Sequence, residues 1–316
     1  MIKVGVLGAD TLLSGELIRL LIHHPEVELK TIYAPGLSGR NLSSIHKGII
    51  GESDLRFTEK VDLEGLDVVF VSSQTSSFLS GNLFPENLRI VIIQERDKLL
   101  LSDEFRELKL VPGVSEMYRK LLVREATASR ILSAPASVAL IALFPLALHL
   151  LLNDSLTIKV SLPKFNLEHF DKEEFISEIE TNLHSVQLSF EKIKQIEVES
   201  IDSIRGISVE FELECLISEA EIEKIYESIY NDHNFSFVVP FDPARQEVEG
   251  TQKCLIYISK PSEDKLRVKT VADGLMRGGA GDAIHVMNLL FGLFEKTGLN
   301  FPASLAFHNH KQTDGY

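Results

Sequence analysis

The stretch from residue 271 to residue 299 constrains the fold most, because it joins a glycine-rich turn to a long amphipathic pattern. Gly278, Gly279 and Gly281 stand at the start of this pattern. Apolar residues then recur at spacings of three and four, which predicts a helix with one side against a core. These residues are Ile284, Met287, Leu290, Phe291 and Phe294. A glycine turn before such a helix predicts outward N–H groups that favour an anion.

The first third of the chain alternates between strand and helix patterns. Ile2–Leu7 is a nearly continuous apolar run, typical of a strand that is covered on both faces. After Gly8, leucines at positions 13, 17, 20 and 21 predict a helix that ends before Pro25. Further strands are predicted at residues 28–34, 67–72 and 89–94. This alternation predicts an α/β domain with a parallel, doubly wound sheet of the Rossmann type.

The pattern changes after Pro135. Residues 138–152 predict a helix that Pro145 would bend. Strands are predicted at residues 206–217, 234–239, 253–258 and 266–272. In the first of these, apolar and polar residues alternate, as in an antiparallel strand with one face toward solvent. Ser218 and Glu221 form a capping-box pattern that opens another helix. This half is therefore predicted to be α+β with a mostly antiparallel sheet.

Charge and composition exclude several classes of protein. A net charge of −14 and the lack of a basic block argue against a nucleic-acid-binding surface. The longest apolar run, residues 134–152, contains Pro145 and His149, which favours a buried helix over a membrane span. The 2 cysteines give no disulfide framework, and no signal peptide precedes the first strand, so a cytoplasmic protein is expected. His308 and His310 are too isolated for a metal site, and no metal is predicted.

Three segments carry a resemblance to one enzyme family. Residues 277–299 are similar to a basic GAAGQA-like turn with an NMNL helix and a GLxExTGL end. Residues 15–29 and 111–120 are similar to the first helix and second strand and to a YGLPELNRE segment of the same family. The chain thus resembles the N-acetyl-gamma-glutamyl-phosphate reductases, the semialdehyde-forming enzymes of arginine biosynthesis. This resemblance implies a dinucleotide-binding domain of residues 1–134 plus 283–316, and a semialdehyde-dehydrogenase-type dimerisation domain of residues 135–282.

The resemblance also implies an NADP(H) site formed by three loops. Its expected contacts are Gly8, Ala9, Asp10, Thr11, Leu12, Leu13, Ser38, Arg40, Gly279, Ala280 and Gly281. Thr11 and Ser14 stand where the family has glycine, and a Cβ at either position narrows the phosphate turn. Asp10 adds a carboxylate beside the expected phosphates, unless it caps the helix instead. Asp282 replaces the usual glutamine of the C-terminal turn, so weak or absent NADP(H) binding is expected.

The catalytic nucleophile of the family is missing from the corresponding turn. Family members attack the acyl phosphate with a cysteine thiolate in an NPGCYAT-like turn, and hydride then reduces the thioester. The matching turn here spans residues 133–139 and is shorter than in the family. Either Ser137 replaces the cysteine or the cysteine has been lost, and the alternative role for Ser137 is a helix N-cap.

The catalytic histidine of the family is also missing. Its position is occupied by Phe175, which cannot transfer a proton. His169 and His184 lie nearby in the sequence and are alternatives for that role, or else surface residues. Cys215 and Cys254 occupy apolar patterns and are predicted to be buried structural residues.

Three hypotheses for function follow from these departures. The first is a catalytically degenerate reductase, a pseudoenzyme or partner subunit that forms a dimer or tetramer, or a heteromer with an active paralogue. The second is an active NADP-dependent reductase with an altered site. The third is a sensor that binds a nucleotide or a small acidic metabolite. The combined change of nucleophile, histidine and phosphate turn favours the first, with no nucleic-acid or membrane partner.

Overall fold

Two six-stranded sheets organise the part of the chain that the computed structural model describes, residues 1–72, 84–93 and 109–303. Each sheet has its own hydrophobic core, and helices cover the apolar faces of both. Among the helices of these residues, none is long and apolar enough to cross a membrane. His308 and His310, which were judged too isolated for a metal site, lie outside the described residues.

The first sheet is entirely parallel, which confirms the predicted Rossmann-type domain. Its strands are β1 (Ile2–Leu7), β2 (Val27–Tyr33), β3 (Val68–Ser72), β4 (Arg89–Ile93), β5 (Leu110–Pro112) and β6 (Ala128–Ile131), in the spatial order β2-β1-β3-β4-β6-β5. Every residue of β3 is buried, as expected for a strand with helices on both sides. Helices α1 (Leu12–Ile22) and α2 (Ser115–Arg124) belong to this layer. The short strands β5 and β6 were not predicted, because Pro112 and Arg130 interrupt their apolar patterns.

The second sheet is mixed and mostly antiparallel, as predicted. Its strands are β7 (Thr157–Pro163), β8 (Gln195–Ile201), β9 (Gly206–Glu214), β10 (Ser236–Val238), β11 (Cys254–Ser262) and β12 (Lys265–Asp273), in the order β10-β11-β12-β9-β7-β8. The three central pairings are antiparallel, and the two edge pairings are parallel. The predicted alternation of β9 is confirmed from Val209 to Glu214, but Ser208 is buried and the strand ends three residues before the predicted end at residue 217. β7 and β8 were missed, and β8 carries alternating acidic residues that leave it mostly exposed.

One helix forms the centre of the second core. Helix α3 (Ala134–Leu148) is buried from Pro135 to Ala147. It begins four residues before the predicted start at residue 138, because a proline suits the first turn of a helix. Three further helices are α4 (Lys164–Leu167), α5 (Lys172–His184) and α6 (Glu219–Tyr230). The predicted capping box at the start of α6 is present between Ser218 and Glu221.

The predicted C-terminal helix is α7 (Ala280–Leu290), and it is buried on every side. It packs against α1 and α2, and Ile284 and Met287 enter the core of the first sheet as predicted. The prediction for Phe294 was wrong, because the helix ends at Leu290 and the Phe294 side chain is 67% exposed. The predicted division of the chain into domains at residues 134 and 283 stays a prediction.

Candidate active site

A cleft of about 440 Å³ lies where four segments meet: the loop between β1 and α1, the start of α3, the α4–α5 region and the turn before α7. Its walls combine apolar residues with polar and acidic ones. The lining residues are Asp10, Thr11, Leu12, Leu13, Ser133, Ala134, Pro135, Leu162, Phe165, Asn166, His169, Phe170, Asp171, Glu174, Gly274, Leu275 and Gly278. This cleft contains four of the predicted cofactor contacts, residues 10–13.

The loop between β1 and α1 is tied together by hydrogen bonds within the chain. Thr11 is the N-cap of α1, and its Oγ1 accepts a hydrogen bond from Ser14 N at 3.1 Å. Ser14 Oγ in turn accepts from Thr11 N at 2.9 Å, which completes a capping box. The Gly8 and Ala9 N–H groups both donate to the Tyr33 carbonyl. Asp10 is exposed and does not cap the helix, so the capping role that the sequence suggested for it falls to Thr11.

The loop after β2 is separate from the cleft wall. Ser38 and Arg40 are exposed, and neither borders the cleft. The Arg40 main chain pairs with Phe57, whose N–H donates to the Arg40 carbonyl at 3.0 Å. This bond holds the Arg40 main chain in the loop that follows β2, and in Rossmann folds the residues after the second strand lie near the dinucleotide ribose.

The start of α3 presents different residues from those that the sequence suggested. Ser133 is the N-cap residue, and Ser133, Ala134 and Pro135 border the cleft. Ser137 lies one turn inside the helix, is 1% exposed and directs its Oγ toward the Leu132 carbonyl at 3.5 Å. The predictions of Ser137 as the cleft nucleophile or as the N-cap are therefore corrected, because the helix begins earlier than expected.

Ser133 pairs with Glu178, a buried glutamate in the stretch that resembles the family's histidine segment but for which no role was predicted. Ser133 Oγ donates to Glu178 Oε2 at 2.6 Å, and Ser133 N donates to the same carboxylate at 3.2 Å. Arg130 lies 3.5 Å from Glu178 Oε1 and 3.2 Å from Glu174. Burial raises the pKa of Glu178, and the hydrogen bond from Ser133 and the charge of Arg130 only partly oppose that rise. Ser133 and Glu178 are 45 residues apart in the sequence, and neither segment's pattern indicates how close they lie in the fold, which is why the pair was missed.

Phe175, which the resemblance places at the position of the family histidine, lies in the second core. Phe175 is 1% exposed and packs against Phe170, with ring centroids 5.4 Å apart. Among the alternatives, His169 borders the cleft and contacts the Phe165 ring edge at 5.2 Å, whereas His184 packs near Phe190. His169 is thus the histidine that the described residues place at the cleft.

The glycine turn before α7 packs against the start of α3, and Gly278 borders the cleft. Gly278 adopts φ +63°, and a Cβ there would lie 2.3 Å from Ala134 Cα, so only glycine fits. Gly278 N donates to Asp282 Oδ2 at 2.6 Å, so the anion at this helix start is part of the chain itself. Gly279, Ala280 and Gly281 are buried and do not border this cleft, and their role as cofactor contacts stays a prediction.

A buried network of charges lies behind this turn. The Arg277 side chain is 1% exposed and contacts Glu116 at 2.8 Å, Asp282 at 3.2 Å and Ser236 at 3.1 Å. Burial alone would raise the pKa of Glu116, but Arg277 and Ser236 lower it to about 2. Burial raises the pKa of Asp282, with Arg277 opposing the rise. Arg277 therefore neutralises two carboxylates from different helices.

No thiol reaches the cleft. The chain has 2 cysteines, Cys215 and Cys254, and both are buried in the second core, as predicted. Burial raises the pKa of Cys254 to about 12, so it stays a thiol at neutral pH. Within residues 1–72, 84–93 and 109–303, the structure contains no group of three or more acidic, histidine or cysteine side chains that could hold a metal ion.

Comparisons with known proteins agree with this architecture. A family model described as the NAD binding domain of semialdehyde dehydrogenase matches residues 3–90. The chain is 32% identical to the N-acetyl-gamma-glutamyl-phosphate reductase of Parabacteroides distasonis, with 96% of this chain and 99% of the relative covered. It is 30% identical to the enzyme of the same name from Bacteroides fragilis, with the same coverage.

Solved structures of aspartate semialdehyde dehydrogenases share the fold. The enzyme II from Vibrio cholerae matches with a TM-score of 0.66 at 12% identity, covering 92% of this chain and 99% of that one. The enzyme from Candida albicans, solved with NADP, matches with a TM-score of 0.65 at 16% identity, covering 92% and 98%. The chain therefore shares its fold with these structures over most of its length.

Proposed function

The chain belongs to the N-acetyl-gamma-glutamyl-phosphate reductase family. We propose that it keeps the fold of these reductases but does not catalyse their thiol-dependent reduction. In this proposal the protein is a pseudoenzyme or partner subunit of a cytoplasmic reductase system. The residues that would form and reduce a thioester are replaced, while the residues that build both sheets and join them remain.

One observation carries the proposal: the helix start that faces the cleft has no thiol. Ser133, Ala134 and Pro135 occupy that wall, and both cysteines of the chain are buried elsewhere. A serine alkoxide is far harder to form than a thiolate, and an ester accepts hydride less readily than a thioester. The core position of Phe175 adds to this, because a phenylalanine supplies no proton.

The start of α1 fits a dinucleotide poorly, which supports weak or absent NADP(H) binding. In Rossmann folds the pyrophosphate lies against main-chain N–H groups at this helix start. Here the Thr11 and Ser14 side chains bind two of those N–H groups, and the Asp10 carboxylate is exposed at the same place. Arg40 is the residue that we assign to a 2′-phosphate if the cofactor binds.

The partner in this proposal is a second folded chain of the same family. It is either another copy, giving a homodimer or tetramer, or an active paralogue in a heteromer, with contact through the second sheet. The outer side of that sheet carries exposed opposite charges, such as Lys159 beside Glu199 and Arg267 beside Glu212. Charges of both signs on one surface suit pairing with a related surface.

The test compares this chain with the Parabacteroides distasonis enzyme. Both purified proteins are assayed for NADPH oxidation with N-acetyl-gamma-glutamyl phosphate, and for the reverse reaction with the semialdehyde and phosphate. We expect turnover by the relative and none above background by this chain. Clear turnover by this chain, abolished by Ser133→Ala, would return it to the active reductases.

Calorimetric titration with NADPH separates the remaining hypotheses. A heat of binding without turnover favours a nucleotide sensor, whereas no binding with association to a paralogue by light scattering favours the partner subunit. A monomer at tens of micromolar, with and without a paralogue, would contradict the partner-subunit proposal.

A further inference from the structure

The hydroxyl of Ser133 has an unusual orientation for an N-cap serine. Such a residue normally accepts a hydrogen bond from an N–H of the first helical turn. Ser133 makes no side-chain cap to α3 and instead donates its proton to Glu178 Oε2 at 2.6 Å. Its oxygen lone pairs are therefore not used by the helix, while its proton already points at a carboxylate.

Glu178 has the surroundings of a general base rather than of a surface carboxylate. It is 7% exposed, and burial raises its pKa, which increases its affinity for a proton. Arg130 and the Ser133 N–H hold the carboxylate in place at 3.5 Å and 3.2 Å. A nucleophile within hydrogen-bond reach of a base, with the base fixed by a third group, is the arrangement that activates hydroxyl nucleophiles.

The pair lies between two cavities that small molecules can enter. Ser133 borders the cleft of about 440 Å³, and Glu178 borders an adjoining cavity of about 530 Å³. Ala134, the first residue of α3, is also on the cleft wall, where helix N–H groups lack helical acceptors and stabilise negative charge. An acyl group in the cleft would meet both the hydroxyl and this helix start.

We propose that Ser133 and Glu178 form a nucleophile and base that hydrolyse activated acyl compounds without a nucleotide cofactor. Ser133 Oγ attacks the acyl carbon as its proton passes to Glu178, and the bond to the leaving group, a phosphate or a phenolate, breaks. An acyl-serine ester remains. Glu178 passes the Ser133 proton to the departing phosphate or phenolate and is a carboxylate again. Water then attacks this ester and loses a proton to Glu178, and the carboxylic acid is released as that proton returns to Ser133 Oγ.

This activity goes beyond the proposed loss of the reductase step and does not depend on it. No hydride is transferred and no electron is gained or lost, so the reaction requires no NADPH. If the hydrolysis proposal fails, the result of the reductase assay still stands. If the reductase assay is positive, the Ser133 and Glu178 variants still decide the hydrolysis proposal.

The first experiment labels the full chain with a biotinylated fluorophosphonate and identifies the modified residue by peptide mass spectrometry. We expect modification of Ser133, with a rate that rises with pH through a pKa above the usual range for glutamate. Glu178→Gln, which preserves an acceptor for the Ser133 hydroxyl, should slow labelling by about 100-fold or more. Ser137→Ala, a buried neighbour outside the cleft, should label as the wild type does.

The second experiment measures acetate release from acetyl phosphate and from p-nitrophenyl acetate in the absence of NADPH. We expect release by the wild type with at least one of the two, and none above background by Ser133→Ala or Glu178→Gln. The substrate that is turned over identifies the leaving group. Circular dichroism and thermal unfolding verify that each variant is folded.

The proposal is overturned if Ser133 is not labelled, or if it is labelled equally fast in folded Glu178→Gln. Equal hydrolysis by the wild type and folded Ser133→Ala would overturn it as well. In each of these cases the Ser133–Glu178 hydrogen bond only holds the start of α3 in place.

Discussion

At the scale of single residues, Leu150 is the clearest case of local strain. It has φ 57° and is 66% exposed, two residues after the end of α3. Its neighbour Leu151 donates to the Leu146 carbonyl at 2.9 Å, the hydrogen bond of a Schellman motif. Glycine is favoured at this left-handed position, because a side chain there costs about 1 kcal/mol.

We therefore expect Leu150→Gly to raise the free energy of unfolding by about 1 kcal/mol, since little buried area is lost. Urea denaturation at neutral pH measures the change. The matched control is Gly51→Ala, at φ +85° with open space around the Cβ, which should lower stability by a similar amount. A destabilised Leu150→Gly would mean that the exposed leucine makes a contact worth more than its backbone strain.

A second prediction at this scale concerns which serine faces the cleft. A thiol introduced by Ser133→Cys should react with a disulfide reagent in the folded protein, because Ser133 borders the cleft. Ser137→Cys should stay unreactive until the protein unfolds, as Cys215 and Cys254 do, because its side chain is buried. Faster reaction at position 137 than at 133 would contradict the placement of the α3 start.

The difference between these two serines shows what residue patterns predict. The apolar run after Pro135 predicted a buried helix, and that helix is present. Its first residue was not predictable, because alanine, proline and serine are all acceptable on either side of a helix start. The helix begins four residues earlier than predicted, so Ser137, which was expected at the cleft wall, lies in the core. The Ser133–Glu178 pair was out of reach because it joins positions 45 residues apart.

At the scale of elements, α3 contains a proline, and another helix replaces the hydrogen bond that this proline removes. Pro145 has no N–H, so the Ile141 carbonyl lacks its usual helical donor. The Tyr230 hydroxyl of α6 donates to that carbonyl instead. Tyr226 donates to the next carbonyl, Ala142, at 2.5 Å. Two tyrosines on one face of α6 thus attach it to the bend in α3.

This arrangement predicts coupling between positions 145 and 230. Tyr230→Phe should lower the free energy of unfolding by about 1–3 kcal/mol, because it leaves a buried carbonyl unpaired. In a Pro145→Ala background, where the helix supplies an N–H, the same change should cost about 1 kcal/mol less. Chemical denaturation of the four proteins measures the coupling.

Tyr226→Phe is the matched control for this cycle. The Ala142 carbonyl faces position 146 in the helix, so the cost of Tyr226→Phe should be independent of residue 145. Equal costs of Tyr230→Phe in both backgrounds would show that Tyr230 does not compensate for the proline.

A further element, α1, links helix capping to cofactor affinity. Replacing both Thr11 and Ser14 by glycine removes the capping box and frees two N–H groups for a phosphate. We expect NADPH binding to tighten several-fold by calorimetry. Stability should fall by a few tenths of a kcal/mol at the Thr11 N-cap and by up to about 1 kcal/mol at Ser14, which lies inside α1. Ser218→Gly, at the α6 cap, should lower stability without changing NADPH binding. Unchanged or weaker binding in the double variant would contradict the capping explanation.

The elements themselves were predictable to different degrees. Buried strands such as β1 and the periodic helix α7 were found, because continuous or regular apolar patterns are strong signals. Strand β8 and helix α5 were not found, because half-exposed elements mix charged and apolar residues. The turn before α7 was predicted to attract an anion, and it does so through Asp282 of the same helix. Asp282, which stands where the family has glutamine, therefore has a structural role: it accepts a hydrogen bond from the turn before its own helix.

At the scale of the whole molecule, Arg277 joins the two sheets. Its guanidinium contacts Glu116 of α2, which packs beside the first sheet, and Ser236 of β10 in the second sheet. It also contacts Asp282 of α7 and lies 5.9 Å from the Phe235 ring centroid. The contact between the two sheets at this point therefore depends on the buried Arg277, which neutralises carboxylates from two helices.

The last prediction tests this dependence. Arg277→Met keeps the volume but leaves Glu116 and Asp282 buried without a counter-ion, and should lower the free energy of unfolding at pH 7 by about 3–5 kcal/mol. Arg267→Met, which breaks half-exposed pairs on the outer sheet face, should cost no more than about 1 kcal/mol. Equal losses for the two variants would show that the Arg277 network does not hold the molecule together.

The stability difference between the wild type and Arg277→Met should also depend on pH, in a direction that the pKa of Glu116 determines. In the wild type the Glu116 pKa is lowered from about 4.5 to about 2, so its contribution is complete above pH 4.5 and is lost as pH falls toward 2. Glu295, whose pKa a hydrogen bond from His285 also lowers to about 2, acts in the same direction. In Arg277→Met, burial should raise the Glu116 pKa, and the neutral acid then needs no counter-ion. The stability difference between wild type and variant should therefore shrink as the pH is lowered from 7 to 3, and a constant difference in urea denaturation across that range would contradict the assignment.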